Sequence, residues 1–188
     1  MTRSPAPFPL ERLADIPERP EDFRLLERIP LTREPQSWPL ELSPMVGDEQ
    51  PMVLLDTETT GLSADDESII ELGMVKVLYS PSAKRIVSIV DVISLYEDPG
   101  KPIPDLITEL TGITDDMVRG QHIDDSLVAS WLSDDPLVVA HNAQFDRPFF
   151  EKRFAALGHL SWACSASGID WKALGFESRK LEYLLLRL

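Results

Sequence analysis

Asp56 and Glu58 stand one residue apart where the apolar run Met52–Leu55 gives way, in the stretch VLLDTETTGL (53–62). Met52–Leu55 is short, apolar and partly β-branched, which reads as a buried strand. Residues i and i+2 of a strand point to the same face. Two carboxylates would therefore project side by side at the end of a core strand. Two unit charges about 5 Å apart repel by roughly 3 kcal/mol at an effective dielectric of about 20. A shared proton, a neighbouring cationic side chain or a bound metal can offset that repulsion. With oxygen ligands only, and no His or Cys close by, the metals favoured are Mg²⁺ and Mn²⁺. The competing reading is a turn at Gly61 that happens to be acidic.

A second constellation is HNAQFDRPFF (141–150). The run PLVVA (136–140) reads as a short buried strand, and a helix opens directly after His141 and Asn142. Asp146 lies about one turn into that helix. Its carboxylate could face the end of a neighbouring strand, where Asp56 and Glu58 would be. Alternatively, Asp146 only complements the positive end of the helix dipole, worth about 0.3–1 kcal/mol. His141 could equally be a hydrogen-bonded core histidine, and Asn142 a helix cap.

The elements that position these residues follow from the pattern. Glu67–Tyr79 and Arg85–Tyr96 are rich in β-formers and are separated by SPSAK, a hairpin turn. With the Val53 strand they predict three consecutive antiparallel strands. Short helices are expected at Asp105–Leu110, closed by Thr111 and Gly112, and at Asp124–Leu132, capped by Asp124 or Asp125. A long helix is expected over Ala143–Leu157, closed by Gly158. A last one begins at Ser178 and carries Leu181, Leu184, Leu185 and Leu188 on one stripe. Three strands, then helix, strand and helix, predict a mixed α/β sheet.

The 188 residues suffice for one domain plus an extension, and 43% hydrophobic with 27% charged is ordinary for a soluble globular chain. Ten of the 16 prolines fall in the first 51 residues, so residues 1–50 read as a proline-rich arm and 51–188 as the domain. Within the arm, Phe23, Leu25, Leu26 and Ile29 form an apolar cluster suited to docking as a strand or short helix, and Trp38 is a candidate anchor. No run approaches the roughly 20 apolar residues of a membrane span, and the first residues lack a signal-type core. A reduced, cytoplasmic setting is expected. The one cysteine, Cys164, is expected to be a small buried residue. A net charge of −14 argues against a protein that coats long duplexes. It does not oppose an enzyme that takes one strand end into a metal-bearing pocket.

Together, LDTETTGL and, about ninety residues later, HNAQFD resemble the first two motifs of the DEDD exonucleases, the DnaQ-like enzymes that include the proofreading epsilon subunit of bacterial DNA polymerase III. ELTGITDDMVRG (109–120) looks like the segment between those motifs. The resemblance covers residues 51–188 and implies a ribonuclease-H-like α/β fold. It further implies a 3′–5′ exonuclease of proofreading or repair type. Such an enzyme uses two Mg²⁺ or Mn²⁺ ions on a single-stranded DNA 3′ end, with RNA as a second substrate class and a DNA polymerase subunit as a partner. By similarity, Asp56 bridges both ions, Glu58 holds the ion carrying the nucleophilic water, and Asp146 holds the second. Thr57 and Thr59 lie beside the terminal nucleotide; Leu62 and the Gly112–Ile113 turn flank its base. His141 and Asn142 shape the pocket, bind phosphate or orient Asp146. Phe145 is expected to pack rather than to stack on a base.

The sequence departs from the family at one point. The third motif, H-x-A-x-x-D, supplies the general base and a last metal-binding Asp, and it does not occur in this chain. Residues 162–185 look like the stretch that leads into it, so the expectation is a domain truncated inside its penultimate helix, without the C-terminal helix. Loss of a general base typically costs about 10²–10⁴-fold. Leu184, Leu185 and Leu188 are then expected to be exposed. The alternative function is a non-hydrolytic module that binds nucleic-acid ends or a polymerase. Arg147, Lys152 and Arg153 read as a solvated helix face, Asp65–Glu67 as a solvated loop, and Arg179 and Lys180 as the exposed face of the last helix. Trp131, Trp162 and Trp171 read as packing residues.

Overall fold

A computed structural model describes residues 10–20 and 38–187. The apolar cluster at 23–29 and Leu188 lie outside the described residues.

Six strands form one sheet: β1 (Leu40–Glu41), β2 (Gln50–Thr59), β3 (Ile69–Ser80), β4 (Arg85–Tyr96), β5 (Leu137–Ala140) and β6 (Trp162–Cys164). Their spatial order is β1-β4-β3-β2-β5-β6. β2, β3 and β4 are antiparallel, as the hairpin signal predicts; β5 and β6 run parallel to β2. The helices are α1 (Asp105–Thr111), α2 (Asp115–Val118), α3 (Asp125–Trp131), α4 (Ala143–Arg153) and α5 (Leu181–Arg187). This is the mixed, ribonuclease-H-like sheet expected from the sequence.

The period-2 pattern decides what each face of β2 does. Val53, Leu55, Thr57 and Thr59 are buried, whereas Asp56 is exposed and Leu54 and Glu58 are half-buried on the opposite face. The buried face packs with Leu72, Met74 and Val138 against Val128 of α3 and Phe149 and Phe150 of α4. Phe150 is fully buried and its ring lies 4.9 Å from Phe154 and 5.6 Å from Trp162. Phe150→Ala is expected to cost about 3–5 kcal/mol, read as a lower urea midpoint at unchanged slope.

Several expectations need correction. β2 does not end before the carboxylates. It runs through Asp56 and Glu58 to Thr59, because β3 continues to pair with it. The long helix stops at Arg153, and a separate 3-10 turn follows at Ala155–Leu157. The last helix starts at Leu181, so Arg179 and Lys180 precede it. Leu184 is only 2% exposed, while Leu185 is 57% exposed. One short edge of the proline-rich stretch joins the sheet, as Leu40 and Glu41 pair with Ile89 and Ser88 of β4. β1, α2 and β6 are too short to leave a periodic signal.

Candidate active site

The site forms where β2 outruns β5. Their parallel pairing ends at Leu54 and Val139, and β2 continues for five residues beyond it. β5 gives way to α4 through His141 and Asn142. Asn142 has φ 74°, the left-handed region that Asn tolerates better than most residues, and this turns the chain sharply into the helix. Asn142 holds the N-cap position, as the cap reading has it, but its side chain makes no capping hydrogen bond.

The turn brings Asp146 beside the end of β2. The Thr57 N–H, on the side that β5 has vacated, donates to Asp146 Oδ1 at 3.0 Å, and Thr57 Oγ1 donates to the same oxygen at 2.9 Å. Asp146 thus satisfies a strand amide left without a strand partner. The second constellation is therefore not merely a helix-dipole effect, and Thr57, not His141, orients the carboxylate. Asp146 is only 2% exposed. Burial pushes its carboxyl up to about 6; Asp56 pushes the same way, and the Thr57 hydrogen bonds pull against them.

Asp56 and Glu58 lie on the open face. Desolvation and the negative charge of Glu71 raise Asp56, with His141 opposing them. Desolvation, then Asp56, Glu71 and Asp146, raise Glu58. Glu71 is the residue that sequence reasoning missed. It sits directly across from Glu58 in the antiparallel register, and Ser94 Oγ donates to its Oε1 at 2.5 Å. Like charges directly opposite destabilise a sheet. The alternation of β3 hints at Glu71, but only the register shows it.

Among the described residues, no Lys or Arg pairs with Asp56, Glu58, Asp146 or Glu71. Of the three offsets for the dyad, the cationic side chain is therefore excluded among those residues. An all-oxygen, uncompensated acidic face fits a hard divalent cation by charge and by donor type. It is not a closed cage: no three His, Cys, Asp or Glu side chains among the described residues gather closely enough to hold an ion as they stand.

The other predicted residues divide. Thr59 is buried and its hydroxyl donates to Gly61 O at 2.6 Å, so Thr57 and Thr59 side chains turn away from the open face. Leu62 is 86% exposed. Gly112 takes φ 78° at the end of α1, but Ile113 is buried among Ile70, Ile103 and Val118 and only 2% exposed, so it adds no open surface to the turn. His141 reaches Ser165 Oγ from Nδ1 and the Arg179 carbonyl from Nε2, both at 2.9 Å, and so ties β5 to the segment before α5. Phe145 packs 5.2 Å from Phe149. Arg153 is not a solvated residue: it binds Glu97, Asp125 and the Ile123 carbonyl. Lys152 binds loop carbonyls, and Glu67 binds Thr60 and Lys101. Cys164 is half-buried rather than buried. Burial pushes its thiol up, but hydrogen bonds involving Ser167, Ala143 and Ala166 outweigh this and bring it to about 6.

Comparison with known proteins agrees with this architecture. The family model described as "RNase_T: Exonuclease" matches residues 53–177. DNA polymerase III PolC-type of Halalkalibacterium halodurans is 41% identical over 108 residues, 56% of this chain and 7% of that protein. The Bacillus subtilis PolC-type polymerase is 39% identical over 113 residues, again 7% of its length. The matched stretch is thus a small part of each polymerase. A solved structure of exonuclease I without ligand superposes with a TM-score of 0.53 at 15% identity, over 73% of this chain and 37% of that one, a likeness of fold.

Proposed function

The chain belongs to the exonuclease family, within the DEDD superfamily of 3′–5′ exonucleases, and on that premise we propose that it removes nucleotides from the 3′ end of single-stranded DNA, with Asp56, Glu58 and Asp146 as its metal-binding carboxylates. Enzymes of the family use divalent metal ions; Mg²⁺ or Mn²⁺ is the choice for this chain, since no nitrogen or sulfur donor joins the three carboxylates. The single observation that carries the reading is the convergence of both constellations at one strand end. Asp146 is hydrogen-bonded to the residue between Asp56 and Glu58.

When bound, such ions lower the pKa of an attacking water and neutralise the leaving oxygen. The chain's own residues do the rest. Asp56 and Glu58 offer two carboxylates on one strand face. Thr57 fixes one oxygen of Asp146 through its amide and its hydroxyl. Leu62, which is exposed, and the Gly112–Ile113 turn are proposed to flank the terminal base, with the buried Ile113 supporting the turn from the core side. His141 and Asn142 shape the turn that carries Asp146. RNA is the second substrate class, and a DNA polymerase subunit the expected partner. Residues 1–50 are proposed as an arm and 51–188 as the nuclease domain. No described helix is long and apolar enough to cross a membrane.

One observation favours the second reading, a module that binds strand ends without cutting. All three histidines are engaged elsewhere: His122 with Glu97, His141 as above, and His159 with Ala156 and Asp135. No imidazole among them stands ready as a general base. Digestion of a 5′-labelled single-stranded oligonucleotide, with Mg²⁺, Mn²⁺ or EDTA, separates the two. A metal-dependent ladder shortening from the 3′ end establishes the nuclease. Metal-dependent binding without a ladder establishes the module. Neither result under any metal overturns both.

A further inference from the structure

Leu62 sits on the Gly61–Glu67 loop between β2 and β3, and that loop is held from two sides. Lys152 of α4 donates to the carbonyl oxygens of Ala64 at 2.5 Å, Asp65 at 2.9 Å and Glu67 at 3.3 Å. An ammonium has three donors, and here all three are used on backbone. Lys152 is therefore saturated by the loop and is not free to neutralise a phosphate. From the other side, Lys101 donates to Glu67 Oε2 at 2.6 Å and to the Asp66 carbonyl at 3.4 Å. Glu67 in turn accepts from Thr60 Oγ1, and Ser68 N donates to that hydroxyl at 3.1 Å. Inside the loop, Asp66 N and Glu67 N both donate to Ser63 O, at 3.2 and 2.9 Å. Ala64 packs against the main core. A Cβ at Gly61 would come 3.0 Å from Glu67 Cγ, so the glycine lets Glu67 fold over the loop stem.

A lone exposed leucine is ordinary on a protein surface. An exposed leucine on a loop bound by two lysines from different parts of the chain is not explained by chance exposure. Surface ion pairs contribute little to stability by themselves. What these contacts do is remove the loop's freedom before anything binds, which lowers the ordering cost of recognition. We propose that Lys152, assisted by Lys101, is a positioning residue that fixes the Gly61–Glu67 loop so that Leu62 stands as a rigid apolar abutment for the terminal base of a bound strand. The proposal rests on the strand-end reading of the site given above.

Hydrogen exchange on the full chain tests the first half. Lys152→Met should speed exchange at the Asp66 and Glu67 amides about tenfold or more and leave the β3 and β4 amides unchanged. Lys152→Arg should restore most of the protection. The second half is read from an oligonucleotide carrying 2-aminopurine at its 3′ end, titrated with chain in the presence of Mn²⁺. The wild-type chain should change the probe's fluorescence. Leu62→Ala and Lys152→Met should reduce that change and weaken binding several-fold, and Lys152→Arg should recover it. Unchanged exchange in Lys152→Met overturns the loop-fixing role, whatever the site binds. Faster exchange with a wild-type probe signal overturns the link to Leu62 alone. A wild-type chain that leaves the probe unchanged overturns the strand-end reading itself, and the role of the lysines with it.

Discussion

Asp56→Asn is expected to lower metal-dependent nucleotide release on the order of 10³-fold while leaving the fold intact. Asp56 is exposed on the open sheet face, takes no hydrogen bond from another described residue, and stands among Glu58, Glu71 and Asp146. Removing its charge relieves repulsion rather than breaking a contact. The metal-free chain should therefore unfold at the same temperature as wild type or slightly higher. What is lost is the carboxylate proposed to share the ions with Glu58 and Asp146. Metal stabilisation of developing charge is worth several kcal/mol, and each 1.36 kcal/mol is about tenfold in rate. The same loss is visible without turnover. A ligand at about 100 times its Kd stabilises a protein by about 2.7 kcal/mol, so excess Mn²⁺ should raise the wild-type melting temperature and barely move that of the variant. An Asp56→Asn chain with the wild-type Mn²⁺ shift and the wild-type ladder would remove Asp56 from the site.

The three-strand order, the α3 cap at Asp124 and the placement of α1 were legible because hydrophobic period and capping are local signals. The two acidic constellations were legible for a related reason. A carboxylate pair beside an apolar run conflicts with local preference, and such conflicts mark sites. What was not legible depends on register and on long-range contact. Glu71 joins the acidic face only because β3 pairs with β2 so that it falls opposite Glu58. Lys152 and Arg153 look alike in sequence, as basic residues on one helix. Their partners, 85 to 88 residues away for Lys152 and 28 to 56 for Arg153, make one a loop holder and the other a half-buried ion-pair centre. His141 left two readings open, a hydrogen-bonded histidine or a group that orients Asp146; only the long-range contacts to Ser165 and the Arg179 carbonyl, 24 and 38 residues away, decide for the first.

The conflict between site and fold should be measurable at Asp146. Burial raises its carboxyl from 3.8 to about 6. A folded-state pKa above the unfolded one means that the native chain binds the proton more tightly. Its contribution to stability is full below about pH 4 and is lost as pH rises through about 6. A shift of that size corresponds to about 3 kcal/mol, the cost of keeping Asp146 ionised in the metal-free fold at neutral pH. Asp146→Asn removes the charge, while the amide oxygen can still accept from the Thr57 amide and hydroxyl. The variant should therefore be more stable than wild type by up to about 3 kcal/mol at about pH 7.5 in EDTA, with the gap closing by about pH 4. Asp56 and Glu58 are raised as well and remain in the variant, so the difference between the two unfolding curves reports Asp146 together with the relief of its repulsion on Glu58. Metal should reverse the ranking. Mn²⁺ competes with the proton, so it should stabilise wild type more at about pH 7.5 than at about pH 5, and Asp146→Asn little at either. Urea unfolding across this range, with and without Mn²⁺, gives both results. A variant with the same pH slope as wild type would mean that Asp146 is ionised in the fold without cost. The destabilised carboxylate that makes a metal site of this strand end would then have to be sought in Asp56 or Glu58.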